Sequence, residues 1–375
     1  MKPIKVLFSL TVLSLVAAPF FFAQDGPNST STDTVARPRK KGDSTTPAEQ
    51  EQPKIPSKFS KKNTVPDGTP TFSTDATTVS VDVAVIDSRG NFIPKIGKNY
   101  FRILEDNVPQ QVSGYSIGEA PMTVALVVEF SARFQNMYTQ TWYQTLTAAY
   151  GFVQSLKPED YVAVIAYDIR PEILSDFSVN RADAQEALQR LRIPAFSEAN
   201  LYDSVVFTAE RMQDIEGRKA IVVLTSGIDT FSKLTYDKTR RALQESGVPV
   251  YAISLMQALR IQAEGSMSAL QQMDFLQADN GLRTFSKETG GLAFFPRFFG
   301  EFPGIFHDIA QALRNQYVLT YTPTNQERDG KFRKIKVEVI DPATGEPLRV
   351  TDEKNKPVKY QIVAKQGYKA PRPVE

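Results

Sequence analysis

The sequence contains no cysteine and a single histidine, His307, so its residue inventory already excludes several kinds of chemistry. Disulfide bonds, thiol nucleophiles, cysteine-held zinc and iron–sulfur clusters all require cysteine. The sequence also lacks a large excess of either charge: it has 44 Lys and Arg and 42 Asp and Glu, for a formal net charge of +2. This balance does not indicate a nucleic-acid partner. With 375 residues, 41% of them hydrophobic, the chain can bury a substantial core.

The first 23 residues have the pattern of a secretory signal. Lys2 and Lys5 precede an apolar run from Val6 to Phe22, after which the chain turns polar. The run is shorter than the roughly 20 apolar residues that a comfortable membrane-spanning helix needs. We predict a signal peptide or N-terminal anchor at 1–23 and an extracytoplasmic location, periplasmic or secreted. Membrane contact is expected only through this segment, if it is not cleaved.

Residues 24–70 are rich in proline, serine and threonine and contain few large apolar side chains. Such a composition cannot bury enough surface to offset the entropy of ordering, so it predicts a disordered linker. Residues 71–120 follow as a β segment, because Val79, Val81, Val83 and Val85 alternate with smaller or polar residues.

Residues 121–315 alternate apolar strands with amphipathic helices. This pattern predicts an α/β fold with a doubly wound, mainly parallel sheet. The predicted buried strands are Thr123–Glu129, Tyr161–Tyr167, Ala220–Leu224 and Val250–Leu255. Met256 to about Gly281 looks like a partly helical insertion, and a short helix is predicted from Gly281 to Thr289.

In residues 316–375 the alternation returns to a period of two, first at Tyr317 to Tyr321 and then at Ile335 to Val339. Asp329-Gly330 predicts a hairpin between these two strands. Neither terminal β segment has enough strands to be stable alone. We therefore predict that 316–375 pairs with 71–120 in a small β-sandwich-like accessory domain.

Polar residues follow two of the central strands. Glu129, Ser131 and Arg133 end the first strand, and Ser226 and Asp229 come just after the third. In an open doubly wound sheet, ligands bind beyond the carboxyl ends of the strands. This edge is therefore the predicted site.

From Thr77 to Gly367 the sequence resembles secreted bacterial proteins related to the von Willebrand factor A (VWA) domain. The resemblance rests on the order and spacing of several short stretches rather than on one motif. These are Arg102–Asp106, Val222–Thr230, Thr289–Gly291, Gln316–Leu319, Tyr321–Thr324 and Asp329–Ile335. It implies the α/β fold described above and a protein-binding function.

The resemblance also implies where a metal-ion-dependent adhesion site would lie, with Asp-x-Ser-x-Ser, a separate Thr and a separate Asp as ligands. Here Glu129 stands at the first Asp, Ser131 at the first Ser, Arg133 at the second Ser, Ala199 at the Thr and Ser226 at the last Asp. Mg²⁺ and Ca²⁺ need oxygen ligands and negative charge. Because most of these oxygens are lost and Arg133 adds a cation, we predict no metal and no other cofactor.

Two ways of rebuilding the site stay open. Asp229 can turn inward to supply a carboxylate, and Asn200 or Ser197 can replace the lost threonine oxygen. The structural alternative is that Arg133 pairs with Glu129 where the metal would bind. The predicted ligand-binding rim is Glu129, Ser131, Arg133, Ala199, Asn200, Ser226 and Asp229.

We therefore predict an extracytoplasmic, metal-independent protein-binding module with a protein partner. One alternative is a metal-dependent adhesin-like receptor with a rebuilt site, and a second is a hydrolase with an unrecognised site. No phosphate-binding loop, dinucleotide fingerprint or zinc-protease motif is found in the sequence, so we do not expect an enzyme. The oligomeric state is not predicted.

Overall fold

The structure is a computed structural model that describes residues 78–118, 120–132, 139–257, 260–261, 267–351 and 355–373. The predicted signal segment and linker, and the predicted pairing of Arg133 with Glu129, lie outside these ranges. Within them, no helix is both long enough and apolar enough to cross a membrane.

Sixteen strands and six α-helices are described in this part of the chain. The strands are β1 Val79–Asp87, β2 Phe101–Glu105, β3 Val108–Gln110, β4 Val112–Gly118, β5 Met122–Glu129, β6 Tyr161–Tyr167, β7 Pro171–Ser178, β8 Arg218–Thr225, β9 Val250–Ser254, β10 Ala293–Phe294, β11 Gln316–Tyr321, β12 Phe332–Val339, β13 Val350–Thr351, β14 Pro357–Val358, β15 Tyr360–Ala364 and β16 Gly367–Lys369. The helices are α1 Thr139–Ser155, α2 Arg181–Arg190, α3 Leu201–Met212, α4 Tyr236–Ser246, α5 Ala269–Thr289 and α6 Phe302–Arg314.

The central sheet has six strands in the order β10-β9-β8-β5-β6-β7. All neighbours are parallel except β7, which runs antiparallel to β6 at one edge. Every residue of β5 is buried, as expected for a strand covered on both faces. The predicted doubly wound, mainly parallel sheet is confirmed. The strand order reverses at β5, because the chain moves to β6 on one side and later returns to β8 on the other.

Alternate side chains of β5 enter two separate cores. Leu126 and Val128 pack with α1, α2 and α6, whose buried residues include Phe152 and Ile309. Ala125 and Val127 face the other layer, where α3, α4 and α5 contribute Val205, Leu243 and Leu282 among others. The sheet is therefore held between two helical layers, and its strand ends are fixed in position.

The terminal β segments form two four-stranded sheets, β15-β1-β11-β4 and β16-β12-β2-β3. β1 pairs antiparallel with β11, with Val83 opposite Tyr317 and Val79 opposite Tyr321. Their inward side chains share one apolar core with Phe101 and Ile335 of the second sheet. The predicted pairing of the two flanks is confirmed in the described residues.

The hairpin predicted at Asp329-Gly330 is wrong. β11 pairs with β1 and β4, whereas β12 pairs with β2 and β16, so the loop crosses from one sheet to the other. A turn motif reports only local backbone geometry and does not specify the partner of either strand.

One further expectation needs correction. The short helix predicted at Gly281–Thr289 is the second half of α5, which runs unbroken from Ala269 and begins with a capping box formed by Ser268 and Gln271. Glu105, the last residue of β2, is 2% exposed and accepts hydrogen bonds from the hydroxyls of Tyr321 and Tyr368.

A buried ion pair joins two elements of the α/β unit. Arg314, at the end of α6, donates from Nη2 to Oδ2 of Asp160 at 2.8 Å. Asp160 also accepts hydrogen bonds from the backbone amides of Met122 and Lys157. Its carboxylate therefore holds the amino-terminal ends of β5 and β6 against α6.

Candidate functional site

Glu129 is the last residue of β5 and lies where the strand order reverses. Its neighbours across the sheet are Tyr167 at the end of β6 and the end of β8 at Thr225. The side chain is 2% exposed. The position expected for a ligand site in this type of sheet thus holds a buried carboxyl group.

Both carboxyl oxygens of Glu129 accept hydrogen bonds from neighbouring residues. The Ser131 hydroxyl donates to Oε1 at 3.0 Å. The Oε2 atom accepts from the Ser226 amide at 2.7 Å, the Thr225 hydroxyl at 3.0 Å and the Tyr167 hydroxyl at 3.3 Å. All four donors are neutral, and no ion pair to Glu129 is found among the residues that the structure describes.

Burial dominates the electrostatics of this cluster. Desolvation raises the pKa of Glu129, and the hydrogen bonds from Ser226, Ser131 and Thr225 offset only part of that rise. Burial and the nearby charge of Glu129 raise the pKa of Tyr167 well above its ordinary value. Tyr167 is therefore a neutral donor at physiological pH.

The metal ligands implied by the VWA resemblance are largely missing from this edge. Ala199 has no side-chain oxygen, and Ser226 contributes its backbone amide to Glu129 rather than a carboxylate. In the described ranges, no group of three His, Cys, Asp or Glu side chains is placed to hold a metal ion. One carboxyl group whose oxygens already face protein donors does not fit the oxygen cage of Mg²⁺ or Ca²⁺.

Asp229 does not supply the missing carboxylate, because it caps helix α3. Its Oδ1 atom accepts from the backbone amides of Leu201 at 2.9 Å and Tyr202 at 3.2 Å, and from the Ser232 hydroxyl. A carboxylate in this position stabilises the positive end of a helix. Asp229 therefore has a structural role at the edge of the predicted site.

The Asn200 side chain is also engaged. Its Nδ2 atom donates to the Ile169 carbonyl at 3.0 Å and to Asp203 at 3.2 Å, while Oδ1 accepts from Ser232. Ala199 lies beside it, with its carbonyl accepting from the amides of Thr230 and Phe231. The predicted rim thus divides into two groups, Glu129 with Ser131 and Ser226, and Asn200 with Ala199 and Asp229.

Tyr167 and Thr225 are the site residues that sequence reasoning missed. Tyr167 ends a strand that carries no predicted site residue, and Thr225 directly precedes the predicted Ser226; their hydroxyls lie 2.7 Å apart and both donate to Glu129 Oε2. Their positions at the carboxyl ends of predicted neighbouring strands were the only available signal.

Two aromatic side chains are exposed in loops of the same edge. Phe196 is 46% exposed and Phe231 is 52% exposed. Their loops are tied to the site by backbone hydrogen bonds, from the Ala132 amide to the Phe196 carbonyl and from the Phe231 amide to Ala199. Exposed aromatic residues beside a ligand edge are typical of protein interfaces.

The α/β domain has a doubly wound architecture with a polar cluster at the point where the strand order reverses. Residues 124–294 match the family model of the von Willebrand factor type A domain, and the chain carries such a domain. The predicted VWA domain is thereby confirmed.

Several solved structures are similar to this chain at low identity. Proximal thread matrix protein 1 from the mussel byssus is 14% identical over 56% of this chain and 51% of its own, with a TM-score of 0.42. This chain thus spans about half the length of that protein. The vWF domain of the type V pili tip protein Mfa5 from Porphyromonas gingivalis is 12% identical over 52% of this chain and 95% of its own, with a TM-score of 0.39.

A von Willebrand factor type A protein from Catenulispora acidiphila is 11% identical over 79% of this chain and 75% of its own, with a TM-score of 0.40. Comparison with curated proteins gives no significant match.

Proposed function

We propose that this protein is an extracytoplasmic interaction module that binds a protein partner at the carboxyl edge of its VWA domain without a metal ion. The observation that carries this proposal is the hydrogen bonding of the Glu129 carboxyl group. Its carboxyl oxygens accept four hydrogen bonds from neutral protein donors, at the place where the family would hold a metal. The adhesion site is, on this view, degenerate.

Three features support partner binding at this edge. VWA domains are generally interaction modules, the edge lies at the topological switch point, and Phe196 and Phe231 expose apolar surface there. A catalytic role has no comparable support. The carboxyl group of Glu129 is buried, and the three hydroxyl groups that donate to it are buried with it.

Export is proposed from the sequence alone. The basic start and apolar run of residues 1–23 favour a chain that matures outside the cytoplasm, and the absence of cysteine means that it does so without disulfide bonds. Cell fractionation that finds the native protein only in the cytosol would contradict this part of the proposal.

Site-specific photo-crosslinking in native cells tests the binding surface. A benzoylphenylalanine at Phe231 should give a discrete crosslinked product, and the same probe at Glu210 near the far end of α3 serves as the control. The product at Phe231 should persist when cells are treated with EDTA. A product that disappears with EDTA, or equal crosslinking at both positions, would contradict the proposal.

A further inference from the structure

A cleft of 610 Å³ opens beside the Glu129 site, between the loop after β8 and helices α3, α4 and α5. We call it the acidic aromatic cleft and define it by Tyr202, Tyr236, Phe285, Asp229 and Asp274. Its volume falls within the range of about 300–1,000 Å³ that is common for ligand sites. Of the predicted site residues that the structure describes, only Asp229 lines it.

Three aromatic rings form one side of the cleft. Tyr236 stacks on Phe285 with ring centroids 5.2 Å apart. The Tyr202 ring lies edge-on to both, with its centroid 5.9 Å from that of Phe285 and 6.3 Å from that of Tyr236. Phe285 is buried, whereas both tyrosines are only half-buried. Neither tyrosine hydroxyl is hydrogen-bonded to a described residue. The cluster thus presents aromatic surface and two polar groups to the cleft.

The charge of the cleft is negative. Asp229 and Asp274 line it, and its described lining residues include no lysine, arginine or histidine. Asp229 uses Oδ1 to cap α3, but its Oδ2 atom accepts no hydrogen bond from a described residue. After burial, the negative field of Asp229 is the next cause that raises the pKa of Tyr202. Asp274 is exposed and forms no ion pair in the described part of the chain.

Gly281 keeps the cleft open at its α5 side. A Cβ atom there would lie 3.5 Å from Cε2 of Tyr236, which is an ordinary contact. A glycine inside a helix costs about 1 kcal/mol relative to alanine. Alanine would therefore fit and favour the helix, whereas a longer side chain would extend into the cleft along Tyr236.

We infer that the acidic aromatic cleft binds an arginine side chain of the protein partner. A guanidinium group stacks on aromatic rings, donates to carboxylates in its plane and sheds its hydration more readily than an ammonium. Aromatic surface with carboxylates, and with no cation among the described lining residues, matches that chemistry. The inference rests on the proposed function, since the arginine belongs to a protein partner.

The test uses small probes, so it does not require the partner. N-acetyl-L-arginine amide and its neutral analogue N-acetyl-L-citrulline amide are titrated against the full chain and followed by saturation-transfer NMR. The arginine probe should bind, and the citrulline probe should bind at least tenfold more weakly. Equal binding of the two probes would overturn the inference.

Matched variants locate the binding. Asp274→Asn should weaken arginine binding by about two- to fivefold, as expected for one exposed charge pair, while Asp214→Asn, an exposed acid outside the cleft, should not. Gly281→Leu should abolish binding and Gly281→Ala should preserve it, with thermal unfolding used to confirm that both variants fold.

If Asp274→Asn and Gly281→Leu behave like their controls, the cleft is not the binding site. A negative result in this experiment would leave the crosslinking at Phe231 unaffected, so failure of this inference and failure of the proposed function are distinguishable.

Discussion

Replacing Glu129 by glutamine distinguishes a carboxyl group held by neutral donors from one held by a cation. Glutamine can place its amide oxygen at the Oε2 position, where it accepts from the Ser226 amide and the Thr225 hydroxyl, and the Ser131 hydroxyl can rotate to accept from its amide nitrogen. The buried group also loses a charge whose desolvation is unfavourable. We therefore expect Glu129→Gln to change the free energy of unfolding by less than about 1 kcal/mol.

Glu129→Ala is the contrasting variant. It leaves the Ser226 amide without its acceptor, at about 1–3 kcal/mol for a buried unsatisfied donor. It also opens a cavity between the ends of β5 and β8, so we expect a total loss of about 2–4 kcal/mol. Urea unfolding at neutral pH measures both values through the single tryptophan, Trp142, whose ring lies 5.6 Å from that of Phe130 next to Glu129.

The alternative predicts a different outcome for glutamine. If a cation, either Arg133 or a metal ion, is paired with Glu129, removing the charge leaves that cation buried and costs about 3–5 kcal/mol. A loss of that size in Glu129→Gln would refute the neutral-donor argument. Repeating the measurement in Arg133→Ser and in EDTA would then identify the cation.

Three further predictions concern the same domain. Because the pKa of Glu129 is raised in the folded state, the stability that this group contributes is fully present below its unfolded pKa and is lost as pH rises through its folded pKa. Urea unfolding repeated across acidic pH should show this fall in the free energy of unfolding in the wild type, and Glu129→Gln should lack the part due to Glu129. Asp229→Ala should lose about 1–2 kcal/mol by uncapping α3 and should speed hydrogen exchange at the Leu201 and Tyr202 amides, while Asp274→Ala should do neither. Asp160→Ala should cost about 3–5 kcal/mol by leaving buried Arg314 unpaired, and adding Arg314→Met should recover much of that loss; a double variant no more stable than the single one would contradict this.

The fold was predictable because its signals are periodic and repeated. Continuous apolar runs such as Val124–Val128 need burial on both faces, and alternating residues such as Val79–Val85 need a partner sheet. Signals carried by one or two residues failed. Gly281 predicts a helix start, although α5 continues through it, and Asp329-Gly330 predicts a hairpin, although its flanking strands join different sheets.

The site was predictable in location but only partly in composition. Glu129 and Ser226 lie where parallel strands end, and that edge follows from topology alone. Tyr167 and Thr225 were missed because each acquires a role only through its neighbour across the sheet, with Tyr167 directly opposite Glu129. The role of Asp229 depends on the start of α3, almost thirty residues earlier in the chain. Such pairings are set by register and loop packing, which local sequence does not specify.

Metal titration of the full chain tests the central claim most directly. The melting temperature is measured in EDTA and then in millimolar Mg²⁺ or Ca²⁺ at constant ionic strength. A ligand that binds only the folded state at 100 times its Kd stabilises it by about 2.7 kcal/mol. We predict no shift beyond experimental error with either ion. A saturable rise in melting temperature that EDTA reverses and Glu129→Gln abolishes would contradict the claim that this VWA domain functions without a metal at its carboxyl edge.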